Sequence, residues 1–261
     1  MRVITGDPWG ALRGVRIGCV KYLNSRPLIC EYDGPVVFGH PAVLARKLAA
    51  GELDAALVPV FHALSEPGYL LVDDVAVGCD GAVFSVFLAH RGELRDVRSI
   101  ALDPASMSSA NLLKVLLAEF HGMHPAFGET GDAQLLIGNQ AIDFRRAEEG
   151  KSDWKFLDLG EEWKRCTGLP FVFAVWAVRV GTADIAAVAD AFRLLKERGV
   201  AQIPELIRRE KFADEETRRL YLTEYLRFEI GPRGKSALGL FRELLLRHKL
   251  IDDARAAVEF I

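Results

Sequence analysis

The sequence predicts an α/β protein, and three observations predict it. Short, continuous apolar runs of strand length alternate with longer stretches whose apolar residues recur every three to four positions. The apolar runs, such as "AALVPV" at 55–60, lack the in–out alternation of a half-exposed sheet and read as strands covered on both faces. Polar residues gather where such runs end, as in "VRIGCVKYLNSRPL" at 15–28. In open α/β sheets the carboxyl ends of strands are where ligands sit.

Residues 15–20 form the first predicted strand and "VVFG" (36–39) the second. "HPAVLARKLAAGELD" reads as a helix stopping near Gly51, with Leu44, Ala45 and Leu48 on one face. Strands follow at 55–60 and at 82–90, the second being "AVFSVFLAH". "SIALD" (99–103) is a strand that leads through "PASMSSA" into the helix "NLLKVLLAEFHG". "AQLLIG" (133–138) is a strand followed by the helix "NQAIDFRRAEEG", and "LPFVFAVWAVR" is a strand after "FLDLGEEWKRCTG". From residue 183 onward four segments carry apolar residues at helical spacing, so the last third is predicted to be helical.

The strands at 82–90 and 169–178 bracket a βαβα segment, which suggests a second lobe hung on two hinge strands. Residues 1–90 and 178–261 would form lobe 1 and residues 91–177 lobe 2, with a ligand cleft between them. On pattern alone, one continuous sheet is an equally open arrangement. The 261 residues are half hydrophobic and 26% charged, enough for a sizeable ordered core in either arrangement. A net charge of −3 argues against a general nucleic-acid binder. No apolar run approaches the ~18 residues of a membrane span, and "MRVITGDPWGALRG" lacks the pattern of a secretory signal, so a soluble cytoplasmic protein is expected.

Candidate chemistry concentrates at strand ends. Asn24, Ser25 and Arg26 offer a donor and acceptor, a hydroxyl and a planar cationic fork, although the first two could simply cap a turn and Arg26 could be solvated. Ser106, Ser108 and Ser109 open a helix whose free N–H groups make a ready anion site, a role compatible with simple capping. Gly138 and Asn139 repeat that logic one strand later, and Ser85 lies inside a predicted strand after Gly78 and Gly81. Cys19, Cys30, Cys79 and Cys166 are scattered without a metal or redox spacing, and the six histidines form no HExxH pattern. There is no GxSxG elbow, and "GPRGKS" fails as a P-loop because Glu229 stands where its first glycine belongs.

Five motifs, taken in order, add to this reading. "IGCVKYLNSRPL", "GELDAALVPV", "AVGCDGAVFSV", "LLIGNQAI" and "LDLGEEWKRCTGLPFVFAVWA" resemble the chorismate dehydratases of the futalosine route to menaquinone, over roughly residues 15–180. The resemblance implies a type II periplasmic-binding-protein-like fold, two α/β lobes joined by two strands. It implies a cytoplasmic carbon–oxygen lyase that removes water from chorismate to give 3-[(1-carboxyvinyl)oxy]benzoate, with no metal and no organic cofactor. On the matching positions, Asn24 and Ser85 are the catalytic candidates. Arg26, Ser106, Ser108, Ser109, Gly138 and Asn139 are the substrate-binding candidates, Asn139 standing where the family often has Asp. No histidine or carboxylate stands at a motif position that suits a general base, which points to the substrate's own enolpyruvyl carboxylate. The alternatives are the sister 1,4-dihydroxy-6-naphthoate synthase, which "EEWKRCTGLP" disfavours, and a non-catalytic small-anion binding protein, which would ordinarily carry an export signal. The oligomeric state has no signature in the sequence.

Overall fold

The computed structural model describes residues 7–103, 106–151, 153–252 and 258–261. Two five-stranded mixed sheets carry the chain. The first contains β1 (Ile17–Val20), β2 (Val36–Gly39), β3 (Ala55–Pro59), β4 (Tyr69–Cys79) and β10 (Phe171–Arg179) in the order β2-β1-β3-β10-β4. The second contains β5 (Val86–His90), β6 (Ser99–Ala101), β7 (Ala126–Gly128), β8 (Ala133–Ile137) and β9 (Lys155–Asp158) in the order β7-β6-β8-β5-β9. Both follow one plan: three parallel strands, then an antiparallel strand, then a fifth strand antiparallel to that one. The antiparallel member is the strand on which the chain enters the second sheet (β5) or returns to the first (β10). The predicted two-lobed α/β arrangement is therefore the observed one, and the single sheet is not.

The sheets also place the chain crossings. β5 pairs with β8 and β9, and β10 with β3 and β4, so boundaries at residues 90 and 177 would cut both strands from the sheets that they complete. The strand expected over 82–90 starts only at Val86, leaving Ser85 in the crossing rather than inside a strand. β4 was not predicted at all. Asp73 and Asp74 interrupt its apolar pattern, and Asp74 takes φ +62° where the register against β10 shifts. The segments 1–6, Pro104–Ala105 and 253–257 lie outside the described residues, including the start of the predicted "PASMSSA" loop.

Helices cover the sheets: α1 (Pro41–Ala49), α2 (Val60–Ser65), α3 (Met107–Val115), α4 (Gly138–Glu148) and α5 (Leu159–Thr167). The predicted helical last third consists of α6 (Ile185–Ala201), α7 (Ile203–Arg209), α8 (Glu215–Leu220) and α9 (Pro232–Arg247). α3 and α8 each run on into a π-helical turn, Leu116–Phe120 and Tyr221–Tyr225. α6 backs directly onto the 3₁₀ turn Leu23–Leu28, and a Cβ on Gly199 would meet the Pro27 carbonyl at 1.9 Å, so only glycine permits this approach.

One buried carboxylate organises the first crossing. Asp158, 3% exposed, caps α5 by accepting from the Gly160 and Glu161 N–H groups at 3.0 and 3.1 Å. It also accepts from Val83 at 3.0 Å and from Phe84 at 2.7 Å, 74 or 75 residues earlier in the chain. Phe84 there holds φ +65°, a left-handed conformation that costs a non-glycine residue about 1 kcal/mol or more. Its ring stacks on Tyr225 at 5.2 Å and lies under the Arg145 guanidinium at 4.7 Å. Asp158→Ala would strand buried N–H groups at both places and is expected to lower the unfolding free energy by about 3 kcal/mol in a urea titration. An unchanged urea midpoint would show that the crossing is held by something else.

Glu162 on the same helix bonds Arg165 at 2.5 Å and His121 at 2.6 Å, and the Arg165 guanidinium above all holds its carboxyl below the usual carboxylate range. A carboxyl with a depressed folded pKa stabilises the fold above its unfolded pKa, about 4.3 for glutamate. That contribution is lost as pH falls through the folded value. Glu162→Gln is expected to flatten the pH dependence of stability between roughly pH 5 and pH 3, read as the urea midpoint against pH.

Candidate functional site

A cavity lies between the two sheets at the carboxyl ends of their parallel strands. Val20 ends β1, Pro59 ends β3 and Ile137 ends β8, and all three line it. Phe173 and Val77 add apolar wall. None of the described lining residues is charged.

Polar character comes from a few side chains and from helix ends. The amino termini of α1, α3 and α4 reach the cavity through Pro41, Met107 and Gly138, and no side chain caps any of the three. The dipoles of these helix starts give an otherwise neutral space a positive potential. Gly138 takes φ +66°, and the Tyr22 ring would lie 3.4 Å from a Cβ placed on it. The Ser106 hydroxyl and the Asn24 Oδ1 atom are buried at the cavity with no hydrogen-bond partner. Buried polar atoms without partners are uncommon in folded proteins, and two in one cavity point to a ligand that satisfies them.

Ser85 sits opposite, aimed by the crossing that Asp158 holds. Its carbonyl accepts from Gly138 at 2.8 Å, its N–H donates to Val83 at 2.7 Å, and its hydroxyl accepts from Tyr221 at 2.7 Å. Tyr221 is 1% exposed, and the Asn24 side chain lies beside its hydroxyl. Burial pushes its hydroxyl well above the ordinary tyrosine range, so it is a neutral donor near pH 7.

The predicted site residues divide. Asn24, Ser85, Ser106, Ser108, Ser109 and Gly138 line one cavity, although they come from four separate parts of the chain. Arg26 and Asn139 do not line it. Arg26 pairs with Glu210 at 3.3 Å, because the turn that presents Asn24 carries Arg26 toward α7. Asn139 instead bridges the lobes, its Oδ1 accepting from the Leu23 N–H at 3.4 Å. Ser25 is wholly buried, and its hydroxyl shapes the turn by donating to the Val20 and Tyr22 carbonyls at 2.7 and 2.8 Å. The Ser108 hydroxyl is also committed: it accepts from Phe61 at 3.2 Å and donates to the Phe173 carbonyl at 3.0 Å, tying α3 to the opposite lobe. Ser108 is thus a clasp, while Ser106 is the open hydroxyl.

Tyr221 was not foreseen from the sequence. It stands in "RRLYLTEYLRF", which reads as an ordinary amphipathic helix, and its partner Ser85 is 136 residues away. The π-helical turn was the one local clue that tertiary structure could supply, since such turns recur at functional sites.

A family model described as menaquinone biosynthesis matches residues 15–247. A chorismate dehydratase of Thermus thermophilus is 32% identical, over 90% of this chain and 96% of that protein. Among solved structures, AF1704 from Archaeoglobus fulgidus superposes with a TM-score of 0.73 at 18% identity, covering 91% of this chain and 98% of that one. The Candida albicans CA3427 gene product, described as having the generic periplasmic-binding-protein fold, gives a TM-score of 0.51 at 15% identity. It covers 95% of this chain and 97% of that one.

The two serines of α3 are expected to separate experimentally. Ser108→Ala strands the Phe61 N–H and should cost about 1–3 kcal/mol of stability. Ser106→Ala removes an unpartnered hydroxyl and should leave the melting temperature within a degree or so while weakening ligand binding. Equal melting shifts for both would contradict this division.

Proposed function

Because this chain belongs to the menaquinone biosynthesis family, we propose that it is a chorismate dehydratase, a hydro-lyase that converts chorismate to 3-[(1-carboxyvinyl)oxy]benzoate. The observation that carries the reading is the cavity: largely apolar, lined by no charged side chain among the described residues, and bordered by the amino termini of α1, α3 and α4, which no side chain caps. Chorismate carries two carboxylates on an apolar ring. Helix ends and the Ser106 hydroxyl suit those anions without introducing a cation that would hold the product equally well.

The chemistry asks little more of the protein. Proton loss from ring carbon three releases an electron pair that the diene delocalises into the ring carboxylate. That pair forms the new ring double bond as the carbon-four C–O bond breaks, and hydroxide leaves. Aromatisation drives the step. Among the described residues lining the cavity there is no histidine, lysine or carboxylate to act as base. The enolpyruvyl carboxylate of the substrate takes the proton in this proposal and passes it to the departing hydroxide, so that water is the only second product. Asn24 and Ser85 are the polar contacts beside the reacting carbons. A preorganised donor aimed at the developing charge is worth roughly 3–4 kcal/mol. We place this activity in the cytoplasm; among the described residues no helix is long and apolar enough to cross a membrane.

Purified protein mixed with chorismate should yield a product lighter by one water with a benzoate-like ultraviolet spectrum. Asn24→Ala and Ser85→Ala should each lower kcat by about 10²–10³-fold, a larger effect than the stability lost when Ser85→Ala leaves the buried Tyr221 hydroxyl without its acceptor. Chorismate that binds and survives would leave a receptor rather than an enzyme. A substrate analogue with its enolpyruvyl carboxyl reduced, if turned over normally, would dismiss the substrate-derived base.

A further inference from the structure

We propose that Tyr221 is a positioning residue that sets the polarity of Asn24 and Ser85, turning them into one acceptor and one donor that together read the leaving hydroxyl. This rests on the dehydratase reading and adds to it a residue and a direction for each hydrogen bond.

The direction follows from counting hydrogens. A phenol has one hydrogen, and Tyr221 gives it to the Ser85 Oγ at 2.7 Å. The Asn24 side chain lies beside the same phenol oxygen, whose one hydrogen is spent on Ser85, so Asn24 turns its amide nitrogen toward it. The amide carbonyl is then turned to the cavity, and Asn24 Oδ1 is indeed a buried atom without a partner. Ser85 has accepted from Tyr221, and its backbone N–H and carbonyl are engaged by Val83 and Gly138. The hydroxyl hydrogen of Ser85 therefore remains for whatever fills the cavity. The chain of donation runs from Asn24 to Tyr221 to Ser85 and ends at the substrate.

A hydroxyl group matches that pair, because it donates once and accepts as well. The carbon-four hydroxyl of chorismate gives its hydrogen to Asn24 Oδ1 and accepts from Ser85. As the C–O bond breaks, negative charge grows on the oxygen that Ser85 already faces, and this donation strengthens in the transition state. The water that finally forms satisfies the same two partners. Ser85 returns to its starting state, and no proton is consumed.

The fold anchors this relay from behind. Tyr221 and Tyr225 begin and end one π-helical turn, the first bonding Ser85 and the second stacking on Phe84 at 5.2 Å. Both grip consecutive residues of the crossing, so the ring of Tyr221 is held even where its hydroxyl is removed.

Tyr221→Phe is the test, run beside wild type, Ser85→Ala and the Tyr221→Phe/Ser85→Ala double variant. The expected result is a kcat loss of about 10–100-fold in Tyr221→Phe, with KM within about threefold. The double variant should be no slower than Ser85→Ala alone, because Tyr221 acts through Ser85. Losses that multiply in the double variant, a Tyr221→Phe enzyme with wild-type kcat, or a change confined to KM would each overturn the proposal. Should Tyr221→Phe not fold, 3-fluorotyrosine placed at 221 keeps the ring and strengthens the donor. It is expected to change kcat with KM preserved, and an unaltered kcat would count against the relay. Wild-type protein that leaves chorismate intact would reject the dehydratase reading itself, an outcome distinct from all of these.

Discussion

The carboxylate of Asp158 is the interaction on which the rest depends. Four backbone N–H groups converge on it, two from the first turn of α5 and two from the chain crossing at Val83 and Phe84. Burying an ionised carboxylate is costly, and accepting several N–H bonds is how a protein offsets that cost. The return is geometric. Phe84 is kept in a backbone conformation it would otherwise leave, and the next residue, Ser85, is pointed at the cavity. The same carboxylate begins the helix that leads to β10, so both passages between the sheets are tied to one group.

The cavity gathers the positive ends of three helices without a single charged lining side chain among the described residues. Helix amino termini act as fixed partial charges that do not reorganise, which suits a site that must favour a spread-out anion over its localised precursor. A lysine or arginine would bind substrate and product carboxylates equally and would do little for the step between them. Arg26 illustrates the point: the nearest cationic candidate in the sequence is committed to Glu210 outside the cavity.

Closure and chemistry share parts. Ser108 fastens α3 to the Phe61 and Phe173 backbone, Asn139 reaches across to Leu23, and Arg146 of α4 pairs with Asp214 at the start of α8. These contacts bring Ser106 and Gly138 from the second lobe against Asn24 from the first. A polar residue at a helix start can therefore serve the ligand or the lobe interface, and two neighbours on α3 take one role each.

The sequence by itself determined the strand-and-helix alternation, because apolar periodicity is local and survives without tertiary context. It also placed Asn24, Ser106 and Gly138 at the ends of strands or starts of helices, positions that line one cavity, whereas Ser85, read as lying inside a strand, reaches the same cavity from the crossing before β5. The acid pair in β4 hid that strand, since its bulge is stabilised by contacts with β10, nearly a hundred residues further on. Whether Ser108 faced a ligand or a backbone carbonyl depended on where β10 came to lie, and the fate of Arg26 depended on Glu210. Tyr221 is the clearest case. Its hydroxyl meets Ser85 only because the helical last third folds back over the crossing, and no pattern within eleven or eighteen residues records a partner 136 positions away. Local spacing sets which groups are offered; long-range packing decides which of them remain unspent and so available for chemistry.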